Sequence, residues 1–270
     1  MKSFGKYLFF VSMSLLCATS FAQEQELCIP YADGESIYGI ISEPASQGKH
    51  GIAIISHGFN GTHHFGRDYF ATLNSLGYAV YTFDFPCGSI YSKSDNNTMD
   101  MSVTDEKEVL KKIVKYFRSQ KNIDRSHIVL IGESQGGLVS ALAAAELKKQ
   151  VSRLVLIYPA LCIPDDWNAR YPTEADIPEV TDLWGVKLGK KYMTDIRPLD
   201  VYGTIGKYKG PVLIVHGTDD KVVPVGYSYR AQDTYKNATL KIIDKAGHGF
   251  NPDERKLSNE YVHAFLSSNK

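Results

Sequence analysis

Along most of the chain the apolar positions fall in short unbroken runs, set apart by turn residues and by stretches of helical spacing. Residues 51–56, 78–83, 127–131, 153–158, 212–216 and 240–244 are rich in β-branched side chains and show no polar alternation. Strands without a polar face are buried on both sides, as in a parallel sheet. Residues 36–42 do alternate and follow an Asp33-Gly34 turn signal, so 27–42 reads as an antiparallel start. Between the runs the period changes to three and four. In 104–120, Val109, Leu110, Ile113, Val114 and Phe117 recur at helical spacing with lysines between them. Residues 138–147 are Ala-rich, and 229–235 and 253–266 supply two further helices. The order is β-α-β-α, which predicts a mostly parallel, doubly wound sheet flanked by helices.

Residues 160–209 break that rhythm. They show no clear strand, hold four prolines, and carry Trp167, Tyr171, Trp184, Tyr192, Tyr202 and Tyr208. Long segments of this kind in compact domains are usually functional, and aromatics argue against disorder. The expectation is an inserted cap over the C-terminal edge of the sheet.

The first residues follow a different logic. Lys2 and Lys6 precede an apolar run from 7 to 18, which ends in Thr19-Ser20-Phe21-Ala22. A positive start, a short apolar stretch and small residues before the cut describe a signal peptide cleaved after Ala22. The run is roughly 12 residues where a membrane span needs about 20. The expected mature chain, 23–270, is one domain, exported to the periplasm or beyond and without a membrane anchor. Removing 1–22 takes away two lysines and no acids, leaving 28 basic and 30 acidic residues from an even 30 and 30. That balance offers no electrostatic reason to bind nucleic acid or an anionic membrane. The remaining cysteines, Cys28, Cys87 and Cys162, permit at most one disulfide and are too few for a disulfide scaffold.

The chemistry concentrates at Gly132-Glu133-Ser134-Gln135-Gly136, which follows the strand 127–131 and opens the Ala-rich helix. G-x-S-x-G between strand and helix is a nucleophile elbow, a turn so tight that the serine hydroxyl stands above the sheet. Gly132 and Gly136 are there because a Cβ at either position would meet neighbouring backbone, and the helix N-terminus points its dipole at a developing oxyanion. A serine needs a base, and the base an orienting acid, in the chain order Ser, Asp or Glu, His. Of eight histidines, His248 alone sits in a glycine-flanked loop beyond the last strand. His57 and His216 each end a strand and read as structural hydrogen-bonding groups. After the penultimate strand, Gly217-Thr218-Asp219-Asp220 offers two aspartates; Asp220, third after the glycine, is the chosen acid, with Asp219 left to the turn. The oxyanion hole takes the Gln135 amide and, from His57-Gly58-Phe59 after the first parallel strand, the amide of Phe59.

Other chemistries lack their residues. There is no Walker loop, no G-x-G-x-x-G, no H-E-x-x-H and no paired C-x-x-C, so no metal and no cofactor are expected. His63-His64 resembles a metal pair, but adjacent side chains on a helix or strand point apart. Asn60, Asn96 and Asn237 begin glycosylation sequons; a glycan on Asn60 would cover the oxyanion hole, which argues against its use and favours a bacterial source.

Taken together these residues resemble the α/β-hydrolase superfamily and, more narrowly, the bacterial feruloyl (cinnamoyl) esterases. The resemblance spans the mature chain: His57-Gly58-Phe59, the Gly-x-Ser-Gln-Gly-Gly elbow, the insert with Leu188-Gly189-x-x-Tyr192, Asp200-x-Tyr202 and Tyr208-Lys209-Gly210-Pro211, the strand leading to Asp220, and the terminal Gly-His. It implies an α/β-hydrolase fold with a small cap roofing an aromatic-acid pocket. It also implies hydrolysis of hydroxycinnamate esters on plant cell-wall polysaccharide, the partner being a small aromatic ester or a feruloylated oligosaccharide or polysaccharide. Trp167, Tyr171, Trp184 and Tyr192 are then candidates to stack on the aryl group. Glu133 departs from the histidine that relatives often carry there; its side chain is expected to point away from the reacting atom. A general short-chain carboxylesterase, a serine peptidase of the same fold and a catalytically dead glycan-binding module are the rival readings.

Overall fold

The computed structural model describes residues 24–268 except Asp33 and Gln47; the expected signal peptide lies outside the described residues. An eight-stranded sheet runs through the molecule, made of β1 (Glu24–Glu26), β2 (Gly39–Ser42), β3 (His50–Ser56), β4 (Tyr78–Phe83), β5 (Ile123–Glu133), β6 (Arg153–Ile157), β7 (Val212–Gly217) and β8 (Ala238–Ile243). Its spatial order is β1-β2-β4-β3-β5-β6-β7-β8. β1/β2 and β2/β4 pair antiparallel; every later pair is parallel. This is the α/β-hydrolase fold, as the patterning and the resemblance imply. The antiparallel start is a correction in detail. Residues 29–30 and 36–37 form their own small ribbon, and the strand pairing with β2 is Glu24–Glu26, a polar edge segment with no apolar signal.

Unbroken apolar runs mean two buried faces here. Along β3, Ile52 and Ile54 face one core, while Ala53 and Ile55 face the other. On the first face lie α2 (Val103–Ser119), α3 (Gln135–Leu147) and α7 (Gly226–Thr234); on the second lie α1 (Phe70–Ser75) and α8 (Pro252–Ser267). The Val109, Leu110, Ile113, Val114, Phe117 stripe of α2 is buried as its spacing predicts, and the Ser102 hydroxyl accepts from the Asp105 amide to cap it. α3 is buried nearly all round, which its alanines allow. α1 has no sequence signal because it is six residues long and enters through a 3-10 turn at Arg67–Tyr69.

Between β6 and β7 the chain makes α4 (Ile163–Arg170), a hairpin of Val180–Leu183 and Val186–Gly189, α5 (Lys190–Ile196) and α6 (Val201–Ile205). The hairpin corrects the expectation of no strand in 160–209. Its strands are four residues each, one face exposed, and too short to stand out from loop composition. α5 docks on the start of α2: the Ser102 hydroxyl donates to Asp195 at 2.6 Å, and Lys191 pairs with Asp105 at 3.2 Å. Cys28, Cys87 and Cys162 are free thiols. No helix among the described residues is long and apolar enough to cross a membrane.

Candidate active site

β5 ends at Glu133 and α3 begins at Gln135, so Ser134 is the whole of the turn between them. Its φ of 52° and ψ of −120° lie in a region that side chains other than glycine's rarely enter, at a cost of order 1–3 kcal/mol. Surrounding bonds hold it there. Its amide donates to Ile157 O at 3.0 Å, and its carbonyl accepts from Gly137 at 2.9 Å and Ala160 at 2.8 Å. The glycines are required by close approach. A Cβ on Gly132 would stand 2.2 Å from Gly136 O, and one on Gly136 would stand 2.3 Å from His57 O.

His248, on the loop between β8 and α8, places Nε2 3.0 Å from Ser134 Oγ. Its Nδ1 lies 2.8 Å from Asp220 Oδ2, on the loop after β7. A carboxylate at Nδ1 fixes the proton there and leaves Nε2 to accept from the serine. Asp220 is itself held from the other side, its Oδ1 accepting from the amides of Val222 at 2.9 Å and Val223 at 2.8 Å. Burial alone would raise its pKa. Hydrogen bonds from His216, His248 and the Val223 amide outweigh that and hold the carboxyl well below the usual range. Asp219 is exposed, and what it supplies to the turn is its amide, donated to Ala246 O.

The amides of Phe59 and Gln135 donate to no protein acceptor among the described residues. The loop carrying Phe59 runs directly beneath the serine: a Cβ on Gly58 would stand 3.0 Å from Ser134 Cβ and 3.5 Å from its Oγ. His57 shapes that loop, with Nδ1 donating to Gly58 O at 2.7 Å and Nε2 accepting from the Phe85 amide at 3.1 Å. Burial pushes its pKa down to about 4, against the Gly58 hydrogen bond, so the ring stays neutral and the pattern stable. Asn60 is engaged next door, its Oδ1 accepting from the Ile90 amide and the Ser89 hydroxyl.

Ser134 opens on a cavity of about 450 Å³ lined mainly by apolar groups. Of the four aromatics expected there, Trp167, Trp184 and Tyr192 line it and Tyr171 does not. Tyr171 lies behind, stacked on Trp167 at 6.0 Å and 15°, a packing role that its sequence neighbourhood does not distinguish from a pocket role. Trp184, at the exposed hairpin tip, meets the Phe59 ring edge-on at 5.8 Å. Tyr192 is buried, and its hydroxyl donates to Gln135 Oε1 at 2.7 Å. Gln135 Nε2 in turn reaches both oxygens of Glu106 at 3.0 and 2.9 Å. Burial, against that hydrogen bond, pushes the Glu106 pKa up to about 8. Glu106 on α2 thus holds the Gln135 side chain, which in turn holds Tyr192 of the cap.

Sequence reasoning did not identify Ile163, Asp166, Arg170, Leu183 or the Lys221–Val223 stretch as cavity lining. Lys221, Val222 and Val223 follow Asp220 directly, so proximity to the acid was a usable signal; the cap residues carried none. The histidine pair is also corrected. His63 and His64 stand with ring centroids 4.1 Å apart on an irregular turn, where strand or helix geometry does not separate neighbours. His63 is buried against Asp84 at 2.8 Å.

Residues 51–269 match the model of the prolyl oligopeptidase family. Est1E from Butyrivibrio proteoclasticus, solved with ferulic acid bound, is 28% identical with a TM-score of 0.82, covering 89% of this chain and 97% of that one. Acetyl xylan esterase 1 from Thermoanaerobacterium sp. JW/SL YS485 is 19% identical with a TM-score of 0.69, covering 92% and 85%, a likeness of fold. RutD of Caulobacter sp. (strain K31) is 29% identical over 120 residues, 43% of this chain; the chain thus matches 45% of that curated relative's length.

Proposed function

The chain belongs to the prolyl oligopeptidase family and has the α/β-hydrolase fold, and from that premise we propose that it is a serine carboxylic-ester hydrolase that releases hydroxycinnamic acids from plant cell-wall esters. The observation that carries the reading is the chain Asp220–His248–Ser134, linked at 2.8 and 3.0 Å, ending in an apolar cavity that Phe59 and Gln135, whose amides have no protein acceptor among the described residues, also line. In the reaction Ser134 attacks the ester carbonyl while His248 takes its proton, and the Phe59 and Gln135 amides hold the oxyanion. His248 then protonates the departing alcohol, and water repeats the sequence to release the acid. Each oxyanion donor contributes about 3–4 kcal/mol of barrier lowering.

An aryl acyl group suits the cavity. Pockets for small ligands run to about 300–1,000 Å³, and here Trp167 and Tyr192 supply flat walls. The similarity to Est1E, with ferulic acid bound, supports the same acyl class. Amide hydrolysis is the second reading, favoured by the family's name. The first 22 residues support export before action on an extracellular polymer.

The test is a substrate panel: methyl ferulate, p-nitrophenyl acetate and butyrate, and an aminoacyl anilide, with Ser134→Ala alongside. Expected is a kcat/KM preference for methyl ferulate and complete loss in the folded Ser134→Ala protein. Preference for the anilide would establish the peptidase reading, and an active Ser134→Ala enzyme would remove Ser134 from the mechanism.

A further inference from the structure

Beyond its two hydrogen bonds, the His248 imidazole has a ring neighbour in Tyr158, at 4.8 Å between centroids and tilted by 56°. Tyr158 stands one residue past the end of β6 and is fixed unusually firmly. Its φ is 35°, its amide donates to Val215 O at 2.7 Å, and Phe250 packs edge-on against its ring at 4.7 Å. Its hydroxyl donates to Glu133 Oε2 at 2.7 Å. Glu133 is buried at the end of β5, and its other oxygen, Oε1, has no hydrogen-bond partner among the described residues. Glu133 is thus bonded to a residue whose ring touches His248, the imidazole that meets Ser134.

We propose that Glu133 and Tyr158 are positioning residues that brace the His248 imidazole from the ring side, complementing the in-plane bond from Asp220, and stabilise the imidazolium formed as Ser134 attacks. The inference rests on the reading of Ser134 and His248 given above. An aromatic ring attracts a cation by its quadrupole, the more so where water is excluded. A phenol donating to a carboxylate is a richer donor of that field than one donating to water. The arrangement also uses a costly feature. A buried carboxyl with one oxygen unpaired is destabilising unless something is gained from it.

The carboxyl is poised to change charge in the working range. Burial pushes the Glu133 pKa up to about 7, against the Tyr158 hydrogen bond and the attraction of Arg255 and His248. The groups that face it are Tyr158 past β6, Tyr69 and Asp68 from the turn before α1, Arg255 from α8, and His248. Arg255 is already paired with Asp68 at 3.1 Å, which leaves Tyr158 as the group bonded directly to the carboxyl. Ionised Glu133 favours a positive imidazole; protonated Glu133 does not.

The experiment measures the rate at which a fluorophosphonate labels Ser134, a readout independent of the ester class, from about pH 5 to 9. In the wild type an extra rise of about fivefold through pH 7 is expected, the size of a cation–ring contact at a partly exposed site such as His248. Glu133→Gln should fold and lack that rise, staying at the lower rate throughout. Tyr158→Phe should lack it too, although Glu133 is present, and the double variant should be no slower than either single. Variants whose profiles superimpose on the wild type after scaling, or a double variant whose losses add, would overturn the proposal. If Glu133→Gln does not fold, Tyr158→Phe alone decides it. Absence of any labelling in the wild type would remove the reading of Ser134 itself, an outcome distinct from failure of the brace.

Discussion

Asp220 shows how a single side chain is selected from two identical neighbours. Asp219 and Asp220 differ by one position, but β7 ends in register with β8 so that one carboxyl is buried beside His216 and His248 and the other is in water. Three donors converge on the buried one, the His248 ring N–H and two amides, and His216 Nε2 stands 3.2 Å from it while bonding to Val223 O. Asp220→Asn should leave the fold intact and lower ester turnover by about 10⁴-fold, because the amide reverses the imidazole tautomer. Stopped-time assays with a p-nitrophenyl ester check this, and a loss below tenfold would mean another group orients His248. Ser134 and His248 were legible from the sequence because their requirements are local: flanking glycines, a strand before, a helix or loop after. Tyr158 was not, since nothing around it in sequence marks a tyrosine as touching a histidine 90 residues on.

The cap illustrates what short elements hide. α4, the hairpin and α5 are each eight residues or fewer per helix or strand, and none has a periodic face long enough to read. They hold together by stacking and by anchoring to the sheet. Trp167 sits between Tyr171 and Tyr192, and Tyr192 reaches through Gln135 to Glu106. Trp167→Ala should therefore widen the cavity while leaving Ser134, His248 and the Phe59 and Gln135 amides in place. KM for methyl ferulate is expected to rise about tenfold or more, with little change for p-nitrophenyl acetate, since an acetyl group is too small to reach that wall. Equal losses on both substrates would show that the tryptophan supports the core and not the acyl group. Aromatic content marked the segment as functional; which aromatic faces the cavity depended on α4 turning Trp167 inward and leaving Tyr171 behind it.

Across the fold, two buried acids set an unusual dependence of stability on pH. Glu106 and Glu133 have folded pKa values of about 8 and about 7, above the ordinary 4.5, burial being the largest cause for each. The folded chain therefore keeps protons that the unfolded chain has released. Their contribution is present in full below about pH 4.5 and is lost as pH rises through 7 and 8. Asp220 acts in the opposite sense, its contribution lost as pH falls below the ordinary carboxylate range. The unfolding free energy from urea titrations should fall from pH 5 to pH 9, by a few kcal/mol at about 1.4 kcal/mol per tenfold in proton affinity. Glu106→Gln should flatten most of that slope while retaining an amide to meet Gln135, and an unchanged slope would show that Glu106 is ionised in the folded state.

What could be read along the chain was whatever rests on neighbours in sequence. Strands buried on both faces, the amphipathic α2, the elbow, the two glycine-flanked loops and the neutral charge balance all follow from composition and period within a dozen residues. The mostly parallel sheet follows too, because unbroken β-branched runs alternating with helical stretches bury both faces of each strand. Packing had to supply the rest: which aspartate is buried, which cap aromatics line the cavity, how Glu106 and Tyr192 meet at Gln135, and how Glu133 reaches His248 through Tyr158. The partners in those contacts lie from 25 to 90 residues apart. Whether they touch depends on strand register and helix docking, and these are settled by burial summed over the entire core, which no local window contains.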